Sequence, residues 1–236
     1  MSGQQRREPF RNRLLQKLST EDLRLIEPHL SAVDLPLRKH LEFPHKRIDH
    51  IYFIDSGFAS VVANGSGDKS VEVGLIGREG VTGLAVIMGT DRSPNATFIQ
   101  SEGAGRTIST ANFVRAMDQS ATLRQAFLDY GHAFVIQTAQ TALANARSKL
   151  EQRLARWLCM AQDRVGGDEL KLTHEFLAIM LGVRRPGVTL TLDLLEKAGH
   201  IEVKRGVISI LDRKGLEKST DGAYGGPEAE FRRLFG

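Results

Sequence analysis

The first part of the chain, residues 12–107, consists of short apolar runs separated by glycine-containing turns. A helical pattern at residues 14–30 comes first, with Ser19 as a helix-start signal inside it. The apolar runs that follow lie at residues 48–54, 59–63, 70–76 and 97–100. Short strands at this spacing favour a small β-barrel or sandwich. Residues 64–68, beginning with Asn64 and Gly65, fit a hairpin connection between two of these strands.

The second part, residues 110–165, has no proline, and Gly131 is its only glycine. From Leu123 to Leu158 the apolar residues fall at helical spacing, which predicts one long helix or two nearly continuous ones. The small residues along it are Ala139, Ala142, Ala144 and Ala146. Because small side chains permit another helix to approach closely, we expect this helix to self-associate. The alternative is a helix buried against the barrel of its own chain.

Residues 172–197 carry the pattern of a helix–turn–helix. Thr173 is the predicted N-cap of the first helix, and Gly182 lies in the turn, where a left-handed backbone is needed. Pro186 near the start of the second helix is tolerated, since the first N–H groups of a helix have no intrahelical partner. Two alternating segments joined by a tight turn at residues 204–206 then predict a wing.

A helix fits the major groove of DNA, and the side chains at its N-terminal end contact base edges. The arginine guanidinium can bond both guanine acceptors at once, and a helix N-terminus or a basic turn suits phosphate. The expected DNA-contacting residues are Thr173, His174, Arg184, Arg185, Gly187, Thr189, Leu190, Lys204 and Arg205. The chain has a net charge of +4, and residues 184–214 hold seven basic and four acidic residues. Most of the positive excess therefore lies where we expect DNA.

Composition excludes several other classes of protein. The 236 residues are 41% hydrophobic and 25% charged, which is ordinary for a globular protein. A single cysteine, Cys159, excludes an intramolecular disulfide and a site built from several thiolates of one chain. The polar start lacks the apolar stretch of a secretory signal, so we expect a cytoplasmic protein. No catalytic motif is visible, so we expect no enzyme activity, no metal and no cofactor.

Residues 14–219 resemble the CRP/FNR family of bacterial transcription regulators. The most specific segments are residues 151–158 and 172–196. Residues 181–189 resemble the recognition segment of the family, and residues 51–57 and 77–80 resemble its β-roll. The resemblance implies an α+β fold with an N-terminal β-roll of the cyclic-nucleotide-binding type, a long dimerisation helix and a C-terminal winged helix–turn–helix. It also implies a homodimer on a two-fold symmetric DNA site, with RNA polymerase as a further partner.

The departures from the family concern the effector and the DNA target. Members that bind cyclic AMP have a Gly–Glu pair in a phosphate-binding loop and an Arg–Ser pair after it. Here Leu84 follows Gly83 in place of the glutamate, and the arginine of the Arg–Ser pair falls in a loop. The candidate effector residues are Gly83, Leu84, Arg92, Ser93 and Thr97, with no ligand identified. Pro186 and Leu190 stand where such members carry Glu and Arg, so the DNA target can differ.

These observations divide the chain into five segments. A basic flexible leader (1–13) precedes the β-roll sensor (14–115), which is followed by the dimerisation helix and hinge (116–165), the winged helix–turn–helix (166–220) and a flexible tail (221–236). Trp157 is expected to pack at the hinge. Two alternatives to an effector of unknown kind stay open at this point: a cyclic-nucleotide-dependent regulator of the same fold, and a β-barrel enzyme with a helical appendage.

Overall fold

The structure, a computed structural model, describes residues 10–65 and 70–236. Its first half is a roll of two antiparallel sheets with strand orders β1-β7-β3 and β2-β6-β4-β5. The strands are β1 (Ser31–Leu35), β2 (His40–Glu42), β3 (His50–Ile54), β4 (Phe58–Asn64), β5 (Ser70–Ile76), β6 (Ala96–Ser101) and β7 (Gly103–Ser109). The predicted β-roll and α+β class are confirmed, and each of the four apolar runs contains a strand. The predicted hairpin connection falls partly on residues 66–68, which lie outside the described residues.

The sequence pattern missed β7, because its glycines do not indicate a strand. A Cβ atom at Gly103 would lie 2.0 Å from the carbonyl oxygen of Ser56, and one at Gly105 would lie 2.4 Å from that of Phe53. Only glycine lets the backbones approach this closely. The predicted helical stretch at 14–30 is two short helices, α1 (Arg13–Lys17) and α2 (Thr20–Ile26), with a 3₁₀ turn after them. Ser19 caps α2 through the backbone N–H of Asp22, as its sequence position predicts.

The expected leader is partly built into the roll. Residues 1–9 lie outside the described residues, but Asn12 is fully buried and caps α1. Its side-chain amide donates to the carbonyl oxygens of Ile54 (3.0 Å) and Gly80 (2.8 Å). The flexible part expected up to residue 13 therefore does not include Asn12, whose amide satisfies two buried backbone acceptors.

The predicted long helix is two helices with a break between them. After α3 (Leu84–Ile87) and α4 (Thr110–Gln119) come α5 (Ala121–Arg147) and α6 (Leu150–Val165). Ser148, between α5 and α6, has an extended backbone. The first half of α5 packs against the roll, where Phe53, Phe113 and Phe127 form an aromatic cluster. In contrast, α6 packs against two helices of the C-terminal unit, Arg185–Lys197 and Arg213–Ser219. The packing therefore changes near residue 148 and not at the expected boundary of 166.

The C-terminal unit is a compact winged helix–turn–helix. Its elements are β8 (Glu169–Lys171), α7 (His174–Leu181), α8 (Arg185–Lys197), β9 (Ile201–Lys204), β10 (Val207–Ile210) and α9 (Arg213–Ser219). The three strands pair in the order β8-β10-β9. The predicted tight turn between β9 and β10 consists of Arg205 (φ 47°) and Gly206 (φ 80°), two left-handed residues as a two-residue hairpin requires. Val188, Leu192 and Leu195 give α8 its buried face.

The segment 221–236, expected to be a flexible tail, is instead folded back onto the rest of the chain. It contains α10 (Gly226–Phe235), which packs along α5. Phe231 and Phe235 lie with ring centroids 4.7 Å apart against the core of the roll, where they bury apolar surface. The backbone carbonyl of Ala223 accepts hydrogen bonds from Gln140 of α5 and Arg156 of α6. No helix in the described part of the chain has the length and apolarity of a membrane span.

Candidate nucleic-acid interface

The turn between α7 and α8 fixes the position of the second helix. Gly182 ends α7 with φ 62°, and the backbone N–H of Val183 donates to the carbonyl oxygen of Ala178 (2.9 Å). Thr173 caps α7 through the N–H of Phe176 (3.2 Å). The helix–turn–helix geometry thus follows from short-range signals that are visible in the sequence.

The expected base-contacting residues lie on the open side of this unit. Arg184 and Arg185 are exposed at the start of α8, and Leu190 is 66% exposed one turn further on. The Thr189 hydroxyl is 2.9 Å from Nδ1 of His174, which joins the two helices at this surface. Gly187 is only half-buried, and a Cβ there would lie 3.3 Å from the Leu150 side chain of α6. Its position therefore suits close packing of α8 on α6 as well as DNA contact.

The wing lies beside the N-terminus of α7. Lys204 and Arg205 are exposed, and the Lys204 ammonium pairs with Glu202 on its own strand (2.6 Å). A cleft of about 360 Å³ between the wing turn and α7 is lined by Leu172, Thr173, His174, Glu175, Arg185 and Gly206. The cleft thus brings Thr173 and His174 at the start of α7 together with Arg185 of α8, beside the wing turn. The sequence pattern did not single out Leu194, which is also exposed one turn beyond Leu190.

A second feature is the sensor cavity, an opening of about 550 Å³ between the roll and α5. Four of the five expected effector residues line it, namely Leu84, Arg92, Ser93 and Thr97. The fifth, Gly83, precedes α3 with φ 78°. The Arg92 side chain is 62% exposed and lies 3.4 Å from Asp91, in agreement with its expected place in a loop. Most of the other lining side chains are apolar, including Val61, Ile76 and Val135.

Comparison with known proteins agrees with this architecture. Residues 152–219 match the family model described as the Crp-like helix-turn-helix domain. A solved regulator of the crp/fnr family from Eubacterium rectale aligns over 89% of this chain and 98% of its own, with 20% identity and a TM-score of 0.70. FixK2 of Bradyrhizobium japonicum aligns over 80% and 96%, with 15% identity and a TM-score of 0.68. The chain has the CRP/FNR fold.

A third similar structure is CLP of Xanthomonas campestris, described as a global regulator that responds to c-di-GMP. It aligns over 81% of this chain and 99% of its own, with 16% identity and a TM-score of 0.65. No protein with a curated description matches the chain. At these identities the likeness establishes the CRP/FNR fold. It does not carry the ligand of any of these proteins over to this chain.

The sensor cavity contains a buried acid that the sequence pattern did not single out. Glu42 of β2 is buried, and its carboxylate accepts hydrogen bonds from the backbone N–H of Gly83 (2.6 Å) and the hydroxyl of Thr97 (3.0 Å). Burial raises the pKa of this carboxyl, and the two hydrogen bonds lower it by a smaller amount. The backbone N–H of Gly83, a residue expected to contact an effector, therefore already donates its hydrogen bond to Glu42. β2 has the sequence His40-Leu41-Glu42, which gives no signal that its acidic residue is buried.

A buried contact joins the roll to the C-terminal unit. The carboxylate of Glu72 in β5 accepts hydrogen bonds from the indole N–H of Trp157 in α6 (2.6 Å) and the hydroxyl of Ser60 (2.5 Å). The Trp157 ring makes edge-on contacts with Phe58 of the roll and Phe176 of α7. Trp157 therefore packs between the two units, in agreement with its predicted hinge position.

The Glu72 carboxyl should make the stability of the chain depend on pH. Burial raises its pKa from 4.5 to about 7, against the opposite effect of its hydrogen bonds and of Arg164 and Arg156. Because the pKa is higher in the folded chain, the stability that Glu72 contributes is complete below pH 4.5 and is lost as the pH rises to about 7. We expect Glu72→Gln to remove this fall from urea unfolding curves measured across the window. An unchanged pH dependence in the variant would contradict the assignment.

Cys159 lies on α6 next to this contact and is fully buried. Burial raises the pKa of its thiol to about 12, so the reactive thiolate is scarce at neutral pH. The Cys159 side chain therefore packs as a small buried hydrophobic group. Within residues 10–65 and 70–236, no group of three or more His, Cys, Asp or Glu side chains is arranged to hold a metal ion.

Proposed function

We propose that the chain is a homodimeric, sequence-specific DNA-binding transcription regulator controlled by a ligand at the sensor cavity. The observation that carries the proposal is the exposed N-terminal end of α8, with Arg184 and Arg185 next to a basic wing. One recognition helix from each chain would enter successive major grooves of a two-fold symmetric site. The protein works by linkage between ligand binding and DNA binding and catalyses no reaction. The cytoplasm is its expected compartment and RNA polymerase an expected partner.

The dimer is supported by an apolar stripe on α5 that nothing covers in the described residues. Leu128, Val135 and Ala142 repeat every seven residues, and Ala139 and Ala146 follow the same face. All five are exposed, whereas the opposite face of α5, with Phe127, Phe134 and Gln137, is buried against the roll. A heptad repeat of this kind is typical of a helix that packs against a second helix. A second copy of α5 is the occupant that the proposed two-fold symmetry requires.

The proposed dimer would also close the sensor cavity. Val135, Ala139 and Ala142 belong both to the stripe and to the lining of the cavity. A ligand there would contact the roll, α5 and the α5 of the partner, and could shift the relation between the two chains. The apolar lining and the buried Glu42 favour a largely apolar effector over a cyclic nucleotide. Calorimetry with cyclic AMP and cyclic GMP tests the alternative, and saturable heat at micromolar concentration would support it.

The DNA-binding proposal is tested by selecting bound sequences from random duplex DNA and measuring two variants on the selected site. We expect Arg185→Ala to weaken specific binding by roughly 1–3 kcal/mol and to relax the preference at one base pair. Lys204→Ala should weaken binding to all sequences alike and reduce the salt slope by about 1. Equal losses on specific and non-specific DNA for Arg185→Ala would contradict its base-contacting role. Failure to select any sequence would contradict the function itself.

Leu190 should contact the methyl group of a thymine, since an exposed leucine among base-contacting residues can bury its apolar surface there. Replacing thymines of the selected site one at a time by deoxyuridine removes only this methyl group. We expect one such replacement to weaken binding by about 1 kcal/mol, or roughly fivefold. The same replacement should not change the DNA affinity of the Leu190→Ala variant. Equal effects of deoxyuridine on both proteins would exclude the contact without affecting the proposed function.

A further inference from the structure

We infer that a second cavity, formed under the C-terminal segment, binds a small aromatic carboxylate. This C-terminal cavity has a volume of about 350 Å³ and is separate from the sensor cavity except that Phe134 lines both. Its walls come from the turn after β5, from α5 and α6, and from the tail that includes α10. The volume falls in the range of small-molecule sites. The folded tail forms one wall of the cavity. Because the composition of this segment predicts a flexible tail, the sequence contains no indication of the cavity.

The charges that line the cavity leave an uncompensated positive charge. Among the described residues, the lining contains the guanidinium groups of Arg13, Arg78, Arg164 and Arg232 and the carboxylates of Glu79, Asp163 and Glu228. Each of these three carboxylates already has a partner within the protein. Glu79 pairs with Arg164 (2.7 Å), and Glu228 accepts a hydrogen bond from the backbone N–H of Gly225 (3.0 Å). Asp163 pairs with Arg213, which lies outside the lining (2.9 Å). Arg13 and Arg232 are exposed to solvent, whereas the half-buried Arg78 has no carboxylate partner among the described residues. A ligand with a single carboxylate would pair with Arg78.

In two of the arginines, one guanidinium nitrogen also lacks a hydrogen-bond acceptor. Nε of Arg78 and Nε of Arg164 are buried and have no partner within the described residues. The terminal nitrogens of Arg164 already bond Met160, Leu75 and Glu79. Arg78 makes only one long hydrogen bond, of 3.5 Å, to the carbonyl of Asp163 and is therefore the arginine with donors to spare. Buried donors are normally satisfied, so an excess of donors at a cavity indicates a missing acceptor. The planar guanidinium group binds a carboxylate through two parallel hydrogen bonds.

The remaining walls determine the other half of the ligand. Tyr130, Phe134, Tyr224 and Phe231 all line the cavity, so rings approach it from both α5 and the tail. Aromatic walls favour a planar apolar body that can stack or make edge contacts with them. An aromatic ring that carries one carboxylate meets both requirements. Such a ligand would lie against the roll, α6 and the tail at once, and so would hold the C-terminal unit against the sensor.

The experiment uses the full chain and 2-naphthoate as the probe. Binding is measured by calorimetry and by ligand-observed NMR, without DNA. Acetate serves as the control for charge alone and 2-naphthylmethanol as the control for the ring alone. We expect 2-naphthoate to bind one site per chain, and both controls to bind at least tenfold more weakly. Equal binding of the neutral alcohol, or no saturable binding of 2-naphthoate at millimolar concentration, would overturn the inference.

Four variants locate the probe. Arg78→Gln and Arg232→Gln should each lower the affinity for 2-naphthoate at least fivefold. Because Arg232 is exposed, its substitution tests the site even if Arg78→Gln does not fold. Arg24→Gln, an exposed arginine on α2 away from the cavity, should change the affinity less than twofold. Met88→Glu alters the exposed edge of the sensor cavity and should also have little effect. Loss of binding in Met88→Glu with retention in Arg78→Gln would place the probe in the sensor cavity and overturn the inference. Since no DNA is used, the result is independent of the proposed function.

Discussion

Replacing Trp157 by alanine is expected to lower the free energy of unfolding by about 3–5 kcal/mol, the usual cost of truncating a large buried aromatic side chain. Trp157 is 4% exposed, and its ring contacts Phe58 and Phe176 at centroid distances of 6.2 and 6.0 Å. Its removal would leave a cavity between the roll and the C-terminal unit. It would also remove the indole N–H that donates a hydrogen bond to the buried carboxylate of Glu72. Urea unfolding followed by circular dichroism measures the loss.

Trp157→Phe is the matched control, because it keeps an aromatic ring at this position and removes the N–H donor together with part of the indole ring. We expect it to cost about 1–3 kcal/mol, which is the penalty of leaving a buried acceptor without a donor. Trp157 is the only tryptophan of the chain, so its fluorescence in the wild type reports the same contact. A loss below about 1 kcal/mol for Trp157→Ala would show that the two units do not depend on this side chain.

The helix–turn–helix and the wing could be predicted from the sequence because their signals are local. Thr173, Gly182 and Pro186 each fix the backbone within a few residues of themselves, and Gly206 does the same for the wing turn. The hydrophobic period of α8 then determines which face is buried and which is free for DNA. These constraints do not depend on the rest of the fold.

The acids of the roll could not be predicted because their partners are distant in sequence. An acidic residue in a strand normally indicates the exposed face. Glu42 and Glu72 are nevertheless buried, and their partners Gly83 and Trp157 lie 41 and 85 residues away. Only the assembled roll brings these donors to the carboxylates. For this reason the candidate effector residues were found without the acid that contacts two of them.

The tail was misinterpreted for a related reason. Its glycines, Gly222, Gly225 and Gly226, have the composition of a linker, and the glycines at 222 and 225 do have positive φ angles. The apolar residues that fix α10 in place, Phe231 and Phe235, pack against a core formed by residues 14–130, far earlier in the chain. Lys17 also donates to the backbone oxygen of Gly236, 219 residues later. Composition describes the turn correctly but gives no information about what the following helix contacts.

Replacing Val135 by aspartate is expected to convert the proposed dimer to single chains and to weaken specific DNA binding at least 100-fold. Val135 is 50% exposed at the middle of the α5 stripe, so the substitution does not disturb the core of the monomer. In a paired helix it would place two carboxylates in an apolar seam, which is costly for an unpaired charge. A chain that binds only one half-site loses the roughly 10²–10⁴-fold gain that comes from binding both. Sedimentation and binding to the selected site measure the two effects.

Leu37→Asp is the control, since Leu37 is 53% exposed on the roll between β1 and β2, away from α5. It should leave both the mass in solution and the DNA affinity unchanged. If Val135→Asp remains dimeric, the stripe is not the interface and the heptad repeat has another role. If it becomes monomeric but binds the whole site as tightly as the wild type, the two-fold arrangement of recognition helices is wrong, although each winged unit could still bind DNA. The stripe is therefore the feature on which the proposed symmetry of the protein–DNA complex depends.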